Sequence, residues 1–170
     1  MRTYFMETFR LGFSHWGEGD IALARQLWGE PDVTHYISAT GVFTEQMIAD
    51  RLVLECENQR VHGVQYWPIF ALLTGDLVGC CGLRPYAAEP GVYELGVHLR
   101  GLYWGQGLAQ EACEAVIRDA FERLGAADLF AGHHPENAAS AALLQRLGFH
   151  PIGTEFYAPD RKSTRLNSSH

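Results

Sequence analysis

The sequence contains no C-x-x-C pair, although it has four cysteines, Cys56, Cys80, Cys81 and Cys113. Their spacing therefore gives no support to a zinc site or a thioredoxin-like redox centre. Cys80 and Cys81 are adjacent in an apparent strand, so we expect their side chains to face opposite sides of it. We interpret the four cysteines as small buried apolar residues of a reducing compartment, and we expect no metal ion.

Long apolar runs and basic charge are also scarce. The sequence has no run of about 18 apolar residues that could span a membrane, and its first residues lack the apolar core of a signal peptide. The formal net charge is -7, which argues against nucleic acid and is compatible with a cationic partner such as an amine. We therefore expect a cytoplasmic protein, monomeric or homodimeric, that binds neither nucleic acid nor membranes.

Length and composition favour a single domain. The chain has 170 residues, of which 47% are hydrophobic and 19% charged, as in ordinary globular domains. Residues 161–170 are mostly polar and lack the alternating apolar pattern of a strand. We predict one domain over residues 1–160, followed by a non-native or disordered tail at 161–170.

The spacing of apolar residues predicts the element order β-α-α-β-β-β-α-β-α-β around one sheet, an α+β domain. In the first part we predict a strand at residues 8–13, a helix at 20–28 that Asp20 can cap and Pro31 terminates, and a second helix that begins at Thr44 and ends just before Gly63. The later predicted elements are strands at 66–74, 77–83 and 93–99, a helix at 107–124, a strand at 129–132, a helix at 137–147 and a strand at 152–157.

Residues 95–112 form the most informative segment, in which an apparent strand passes through Gly105-Gln106-Gly107 into a long helix. The first N–H groups of a helix lack intrahelical partners and lie at the positive end of its dipole, so they can bind an anion. Gly105 and Gly107 carry no side chain that would block a phosphate, and Ala109 is small. Tight packing of strand on helix is the alternative. No Gly-Lys-Ser/Thr follows, and the third glycine of a dinucleotide fingerprint is missing.

A second segment, residues 137–149, begins another helix. Asn137 and Ser140 lie three residues apart and therefore share one helix face. Capping of the helix by either residue is the alternative interpretation. The segment ends in Leu147-Gly148-Phe149.

These two segments resemble the two cofactor motifs of the GNAT superfamily of N-acetyltransferases. Residues 105–109 resemble its pyrophosphate-binding motif, and residues 137–149 resemble its second cofactor motif. The segments 30–33, 79–85 and 103–107 resemble the ribosomal-protein (RimJ/RimL-like) branch. The resemblance implies a single-domain acyl-CoA N-acyltransferase fold, with a mixed, mostly antiparallel sheet and helices on both faces. Because residues 161–170 cannot supply its last strand, we expect the final strand to be lost or replaced.

The resemblance also implies acetyl-CoA as cosubstrate and direct attack of a neutral amine on the thioester in a ternary complex. The cofactor contacts it implies are Val97, His98, Leu99, Trp104, Gly105, Gln106, Gly107, Leu108, Ala109, Gln110, Asn137 and Ser140. An α-amine, with a pKa of about 7.7–8.0, is easier to deprotonate at pH 7 than a lysine amine at about 10.4. We therefore expect the α-amine of a protein or peptide as acceptor. A small-molecule amine, or an idle acetyl-CoA-binding module, is the alternative.

Glu94 is the candidate general base, acting directly or through a water, because it is acidic and borders the expected reaction site. A strand glutamate that is merely solvated or hydrogen-bonded is the alternative. Leu144 stands where many members of the superfamily have a tyrosine acid, so the thiolate must take its proton from another residue or from water. Ser140 is the candidate donor, and a role in helix packing is the alternative for it. A backbone N–H near Val97 or His98 would polarise the thioester carbonyl. His98 is a weaker candidate for the base.

Overall fold

The computed structural model describes residues 2–87, 89–132, 134 and 136–152, and the backbone of residues 155–159. The tail expected at 161–170 lies outside these residues. The strands are β1 (Met6–Glu7), β2 (Leu11–Phe13), β3 (Tyr66–Ala71), β4 (Leu77–Pro85), β5 (Val92–Leu99), β6 (Asp128–Gly132), β7 (His150–Ile152) and β8 (Glu155–Pro159). The helices are α1 (Ile21–Trp28), α2 (Pro31–Thr34), α3 (Glu45–His62), α4 (Leu108–Glu122) and α5 (Ala138–Arg146), with a 3-10 turn at Gly101–Tyr103.

The eight strands form one sheet in the order β1-β2-β3-β4-β5-β6-β8-β7. Every neighbouring pair is antiparallel except β5 and β6, which are parallel. A parallel pair needs a crossover connection, and α4 supplies it. The predicted mixed, mostly antiparallel sheet is confirmed.

Two apolar cores lie on opposite faces of the sheet. One contains Leu95 of β5 and Val116 of α4, and the other contains Trp28 of α1 and Leu52 of α3. Alternating residues of a strand point to opposite faces, which makes both cores possible. Helices on both faces are therefore confirmed. Cys80 belongs to the α1 and α3 core and Cys81 to the α4 core, as expected for adjacent strand residues.

Helix boundaries follow local signals in one case and depart from them in others. Thr44 caps α3 by accepting a hydrogen bond from the Met47 N–H at 3.2 Å. Asp20 does not cap α1, because its carboxylate accepts hydrogen bonds from Arg2 and from the Gly17 N–H. Pro31 ends no helix. It occupies the first turn of α2, where its missing N–H leaves no hydrogen bond unmade.

The end of the sheet corrects one detail of the predicted fold. The single strand predicted at 152–157 is two strands, because β7 pairs antiparallel with β8. β8 also pairs with β6, from Asp128 opposite Pro159 to Gly132 opposite Glu155. β8 is the last strand of the described sheet, and residues 161–170, which we expected not to supply a strand, lie outside the described residues. Gly153 lies inside the predicted strand, and glycine is a residue that weakens or interrupts a strand.

The strand predicted at 8–13 is observed as the shorter β2, and β1, which precedes the predicted range, pairs with it antiparallel. In the described part of the chain, no helix is long and apolar enough to cross a bilayer. Among the same residues, no three His, Cys, Asp or Glu side chains come together as a metal site.

Candidate active site

The backbone of the loop before α4 has the conformation expected of an anion-binding site. Gly105 and Gly107 have φ values of 73° and 76°, a left-handed conformation that side chains disfavour. No side chain caps α4. The backbone N–H of Glu111 donates the first intrahelical hydrogen bond, to the Gly107 carbonyl at 3.1 Å. The N–H groups without an intrahelical acceptor are those of Leu108, Ala109 and Gln110.

Arg10, which the sequence did not single out, ties this loop to the β1–β2 turn. Its Nη1 donates to the Gln106 carbonyl at 2.9 Å, and its Nε donates to Glu111 Oε1 at 2.7 Å. The other oxygen of Glu111 accepts from the Arg10 N–H and the Thr8 hydroxyl. Burial opposes ionisation of Glu111, but these hydrogen bonds outweigh it and lower the pKa of the carboxyl. The turn and the first turn of α4 are thus held together.

A cleft of about 770 Å³ opens beside the loop. Every residue that we predicted to contact the cofactor lines this cofactor cleft, except Gln106. The carbonyl of Gln106 is bound to Arg10 instead. Trp104 is half exposed at the cleft, and its indole N–H donates to the Leu99 carbonyl at 2.9 Å. This bond holds the indole in place at the cleft.

A second cavity of about 540 Å³, the inner pocket, joins the cofactor cleft. Val97, His98, Asn137 and Ser140 line both. The two cavities therefore meet between the end of β5 and the start of α5.

The junction exists because β5 and β6 diverge. They pair only from Val92 opposite Asp128 to Glu94 opposite Phe130, whereas β4 accompanies β5 as far as Leu99. Arg100 donates its N–H to the Val78 carbonyl of β4 at 2.9 Å. Backbone groups alternate between the two edges of a strand. The backbone N–H and C=O groups of His98 thus face β4. Those of Val97 and Leu99 face the opposite edge of β5, where β6 no longer pairs with it. Of the two predicted N–H donors, only that of Val97 faces the opening.

Glu94 provides the only acidic side chain that lines the inner pocket among the described residues. Its Oε1 accepts a hydrogen bond from the Tyr66 hydroxyl at 3.3 Å. Burial raises the pKa of Tyr66 far above its ordinary value, so the hydroxyl keeps its proton and remains a donor. Glu94 is partly exposed to the pocket, as a group that exchanges protons with a ligand must be.

His98 lies on the same face of β5 as Glu94. Trp28 donates its indole N–H to His98 Nδ1 at 3.2 Å. Burial, together with the charges of Arg51 and Arg84, lowers the pKa of His98 well below its ordinary value. The ring is therefore neutral with its proton on Nε2, which leaves no free nitrogen lone pair to act as a base.

Asn137 and Ser140 are joined at the start of α5, as their spacing suggested. The Ser140 N–H donates to Asn137 Oδ1 at 3.0 Å, so Asn137 caps the helix. The capping alternative is thus confirmed for Asn137, while its side-chain NH₂ remains available to the cavities. Leu144 is buried at the wall of the inner pocket and offers no proton there.

Three further residues of the inner pocket escaped the sequence analysis. Arg51 of α3 and Arg84 of β4 line it with Tyr66, and both guanidinium groups pair with the buried Glu55. An i,i+4 Arg–Glu pair within α3 was a usable signal for Arg51. No local pattern indicates that Arg84, 29 residues from Glu55, joins them.

Comparison with known proteins agrees with this geometry. The profile of the Acetyltransferase (GNAT) domain family matches residues 10–150. The uncharacterized N-acetyltransferase p20 of Bacillus licheniformis is 29% identical over 154 residues, which cover 90% of this chain and 85% of that protein.

Two solved structures share the fold while their names specify different acceptors. The ribosomal-protein-S5-alanine acetyltransferase of Vibrio fischeri matches with a TM-score of 0.75 at 16% identity, over 92% of this chain and 97% of that chain. The spermidine N-acetyltransferase of Vibrio cholerae, in complex with CoA and spermine, matches with a TM-score of 0.76 at 14% identity, over 91% and 98%. The fold alone therefore does not select the acceptor. The chain belongs to the GNAT family and is an acetyl-CoA-dependent N-acetyltransferase.

Proposed function

We propose that this acetyltransferase transfers the acetyl group directly to an α-amine, as a member of the ribosomal-protein branch of the family. The observation that carries the proposal is the position of Glu94. This carboxylate lines the inner pocket, which joins the cofactor cleft at the opened edge of β5. An acceptor amine in the pocket can therefore reach a base and a thioester together.

The first turn of α4 would bind the pyrophosphate of acetyl-CoA through the N–H groups of Leu108, Ala109 and Gln110. Backbone donors at the positive end of a helix suit this dianion. The pantetheine chain would then follow the free edge of β5, where backbone groups of Val97 and Leu99 face the opening. Asn137 and Ser140 of α5 would contact the cofactor from the opposite wall.

In the proposed reaction, the amine lone pair attacks the thioester carbonyl carbon and forms a tetrahedral oxyanion. The Val97 N–H would stabilise this charge, and Glu94 would accept the proton that the amine loses, directly or through a water. Collapse of the intermediate breaks the C–S bond and releases the CoA thiolate. The Ser140 hydroxyl would give the thiolate a proton and recover one from water, since Leu144 has none to give.

The strength of the base favours an α-amine. At pH 7, deprotonating an α-amine of pKa about 7.7–8.0 costs about 1–1.4 kcal/mol, whereas a lysine amine of pKa about 10.4 costs about 4.6 kcal/mol. A carboxylate is a weak base at this pH, so the smaller cost is within its reach.

The test is an acceptor screen with purified protein and acetyl-CoA, read as thiol release and as mass gain of the acceptor. The panel contains a peptide with a free N-terminus, the same peptide with a blocked N-terminus and a free lysine, and spermidine. We expect acetylation of the free N-terminus alone. Preference for lysine or spermidine contradicts the α-amine, and transfer to no amine indicates a module that only binds acetyl-CoA.

A further inference from the structure

The inner pocket contains two arginines, Arg51 and Arg84, next to Glu94. Glu55 is fully buried, and its Oε2 accepts from Arg51 Nε at 2.7 Å and from Arg84 Nη2 at 3.4 Å. Its Oε1 accepts from the Tyr66 N–H at 2.7 Å. One carboxylate thus faces two guanidinium groups, so Glu55 neutralises one positive charge and the second is left to Glu94, opposite Arg84, or to a ligand.

The two guanidinium groups also have unused donors. In the described part of the chain, the hydrogen bonds of Arg51 and Arg84 go to Glu55 and to no other residue. Each guanidinium has five N–H donors. Arg84 Nε is buried without a partner, and a buried donor without an acceptor is costly and rare in a native protein. An acceptor oxygen from a ligand would satisfy these groups.

The ring of Tyr66 holds both guanidinium groups in position. Arg84 Cζ lies 4.4 Å from the ring centroid, and Arg51 Cζ lies 5.3 Å from it. Stacking of this kind orders a guanidinium before a ligand arrives, which lowers the entropy that binding must overcome. Gly96 makes room for the ring, since a Cβ there would lie 2.3 Å from its Cζ.

The same tyrosine links the two arginines to the proposed base. Its hydroxyl donates to Glu94, while its ring contacts the guanidinium groups. Arg84 is also directly opposite Glu94 in the β4–β5 register. A molecule whose amine lies at Glu94 therefore has the two arginines within reach of a group a few bonds away. The charges of both arginines, after burial, also lower the pKa of His98, which lies where the two cavities meet.

We propose that Arg51 and Arg84 form a carboxylate subsite, so that the acceptor of this enzyme carries a carboxylate as well as its reacting amine. This inference rests on the proposed function and specifies its substrate class. Guanidinium groups bind planar carboxylates through paired hydrogen bonds. A second cationic group, as in a polyamine, would be repelled from the same place. The carboxylate has two possible sources, the α-carboxylate of a free amino acid or an acidic side chain at the start of a peptide.

The experiment compares acceptors that differ only in this group. L-alanine and L-methionine are compared with their amides, and peptides that begin with Asp or Glu are compared with peptides that begin with Asn or Gln. For each pair we measure kcat/KM by thiol release and acceptor affinity by calorimetry on the CoA-bound protein. The amino acid arm and the peptide arm distinguish the two sources. We expect the carboxylate member of one arm to be favoured by about 10–100-fold, as charged hydrogen bonds predict.

Substitution of the subsite supplies the second test. In Arg84→Gln, the acid-to-amide ratio of kcat/KM should approach 1, whereas Arg84→Lys should retain part of it. A ratio is independent of the fraction of folded enzyme, so partial unfolding does not imitate the effect. Arg25→Gln is the matched control, because it removes the same charge from an exposed pair with Glu45, far from the pocket. Its ratio should equal that of the wild type.

The outcomes separate the inference from the proposed function. Amides that react as well as acids in both arms overturn the carboxylate subsite and leave α-amine transfer intact. Selective binding of the acids without any acetyl transfer supports the subsite and contradicts the proposed function. An unchanged ratio in Arg84→Gln overturns the assignment to Arg84.

Discussion

The Trp28 indole N–H and His98 Nδ1 lie 3.2 Å apart, in a hydrogen bond between residues separated by 70 positions in the chain. The bond uses the lone pair that a basic histidine would need, and the lowered pKa keeps the ring neutral. His98 therefore offers its Nε2–H as a donor at the junction of the two cavities. Glu94 remains the candidate base of the site.

The lowered pKa of His98 predicts a loss of stability in acid. Below the ordinary histidine pKa of about 6.5, the unfolded chain takes up a proton that the folded ring does not, so stability falls as the pH falls. In His98→Asn, an acceptor remains for Trp28 but nothing titrates. Between about pH 7.5 and about pH 5.5, the wild type should lose about 1 kcal/mol more than the variant. Urea unfolding at the two pH values measures the difference. His15, whose burial also lowers its pKa, contributes to both proteins and cancels. Equal losses of unfolding free energy in the wild type and in His98→Asn would contradict a neutral, buried His98 ring.

Removal of the base should reduce turnover and leave cofactor binding unchanged. Glu94→Gln keeps the size of the side chain and an oxygen that can accept from Tyr66, but it cannot accept a proton. We expect kcat to fall by roughly 10²–10⁴-fold, with CoA affinity unchanged. The decline of rate in acid should also be shallower in the variant, since glutamine does not titrate. Tyr66→Phe, which removes only the hydroxyl that contacts Glu94, should lower kcat by a smaller factor than Glu94→Gln. Identical pH–rate profiles for Glu94→Gln and the wild type would exclude the base.

A change at Gly107 should weaken CoA binding through the backbone. Its φ of 76° is unfavourable for valine, by roughly 1–3 kcal/mol. An added Cβ would meet only the Arg10 guanidinium, at 3.6 Å, so a steric clash is not the main effect. We expect Gly107→Val to move the loop and weaken CoA at least about tenfold by calorimetry. Gly125→Val is the matched control, with a φ of 66° beyond the other end of α4. Gly125→Val should be less stable than the wild type but bind CoA with the same affinity. Equal CoA affinities in Gly107→Val and Gly125→Val would contradict the assignment of the anion site to this loop.

Glu111 should be important for stability because three donors converge on it, the Thr8 hydroxyl, the Arg10 N–H and Arg10 Nε. Hydrogen bonds to a charged group contribute about 1.5–3 kcal/mol when buried, and this site is partly solvated. Glu111→Ala should therefore lower the free energy of unfolding by about 2 kcal/mol. The control is Glu114→Ala, on the same helix, because the exposed Glu114 carboxylate accepts from the Gln110 amide alone among the described residues. Chemical denaturation measures the free energy of unfolding of both variants. An equal loss in both would mean that the three hydrogen bonds to Glu111 do not stabilise the protein.

The elements that sequence reasoning predicted well carry complete local patterns. The strand predicted at 93–99 is observed as Val92–Leu99, because alternating apolar residues specify its two faces. The loop at 105–107 was predicted because its glycines and the following helix are adjacent in sequence. α3 ends at His62, directly before Gly63, where the sequence predicted its end, and Gly63 has the left-handed φ of 72° that is typical of a residue following a helix. The prediction treated β7 and β8, which pair antiparallel, as one strand that ran through Gly153.

The residues that escaped prediction act across long separations. Arg10 contacts Gln106 across 96 positions, and Arg84 meets Glu55 across 29. Such contacts depend on strand order and register, which no local period encodes. The net charge of -7 is compatible with a cationic partner, whereas two arginines line the inner pocket. The average charge of a chain does not determine the charge of one pocket.

The position of β8 has a consequence for how the sheet is completed during synthesis. β8 leaves the ribosome after every other strand of the described sheet, yet it lies inside the sheet, between β6 and β7. Until then β6 and β7 each present an unpaired backbone edge, the feature through which strands associate with other chains. At roughly 5–20 residues per second, β6 is made about 1–5 seconds before β8. Within the described sheet, β8 covers the free edges of β6 and β7 at once, so its loss would expose two strand edges together.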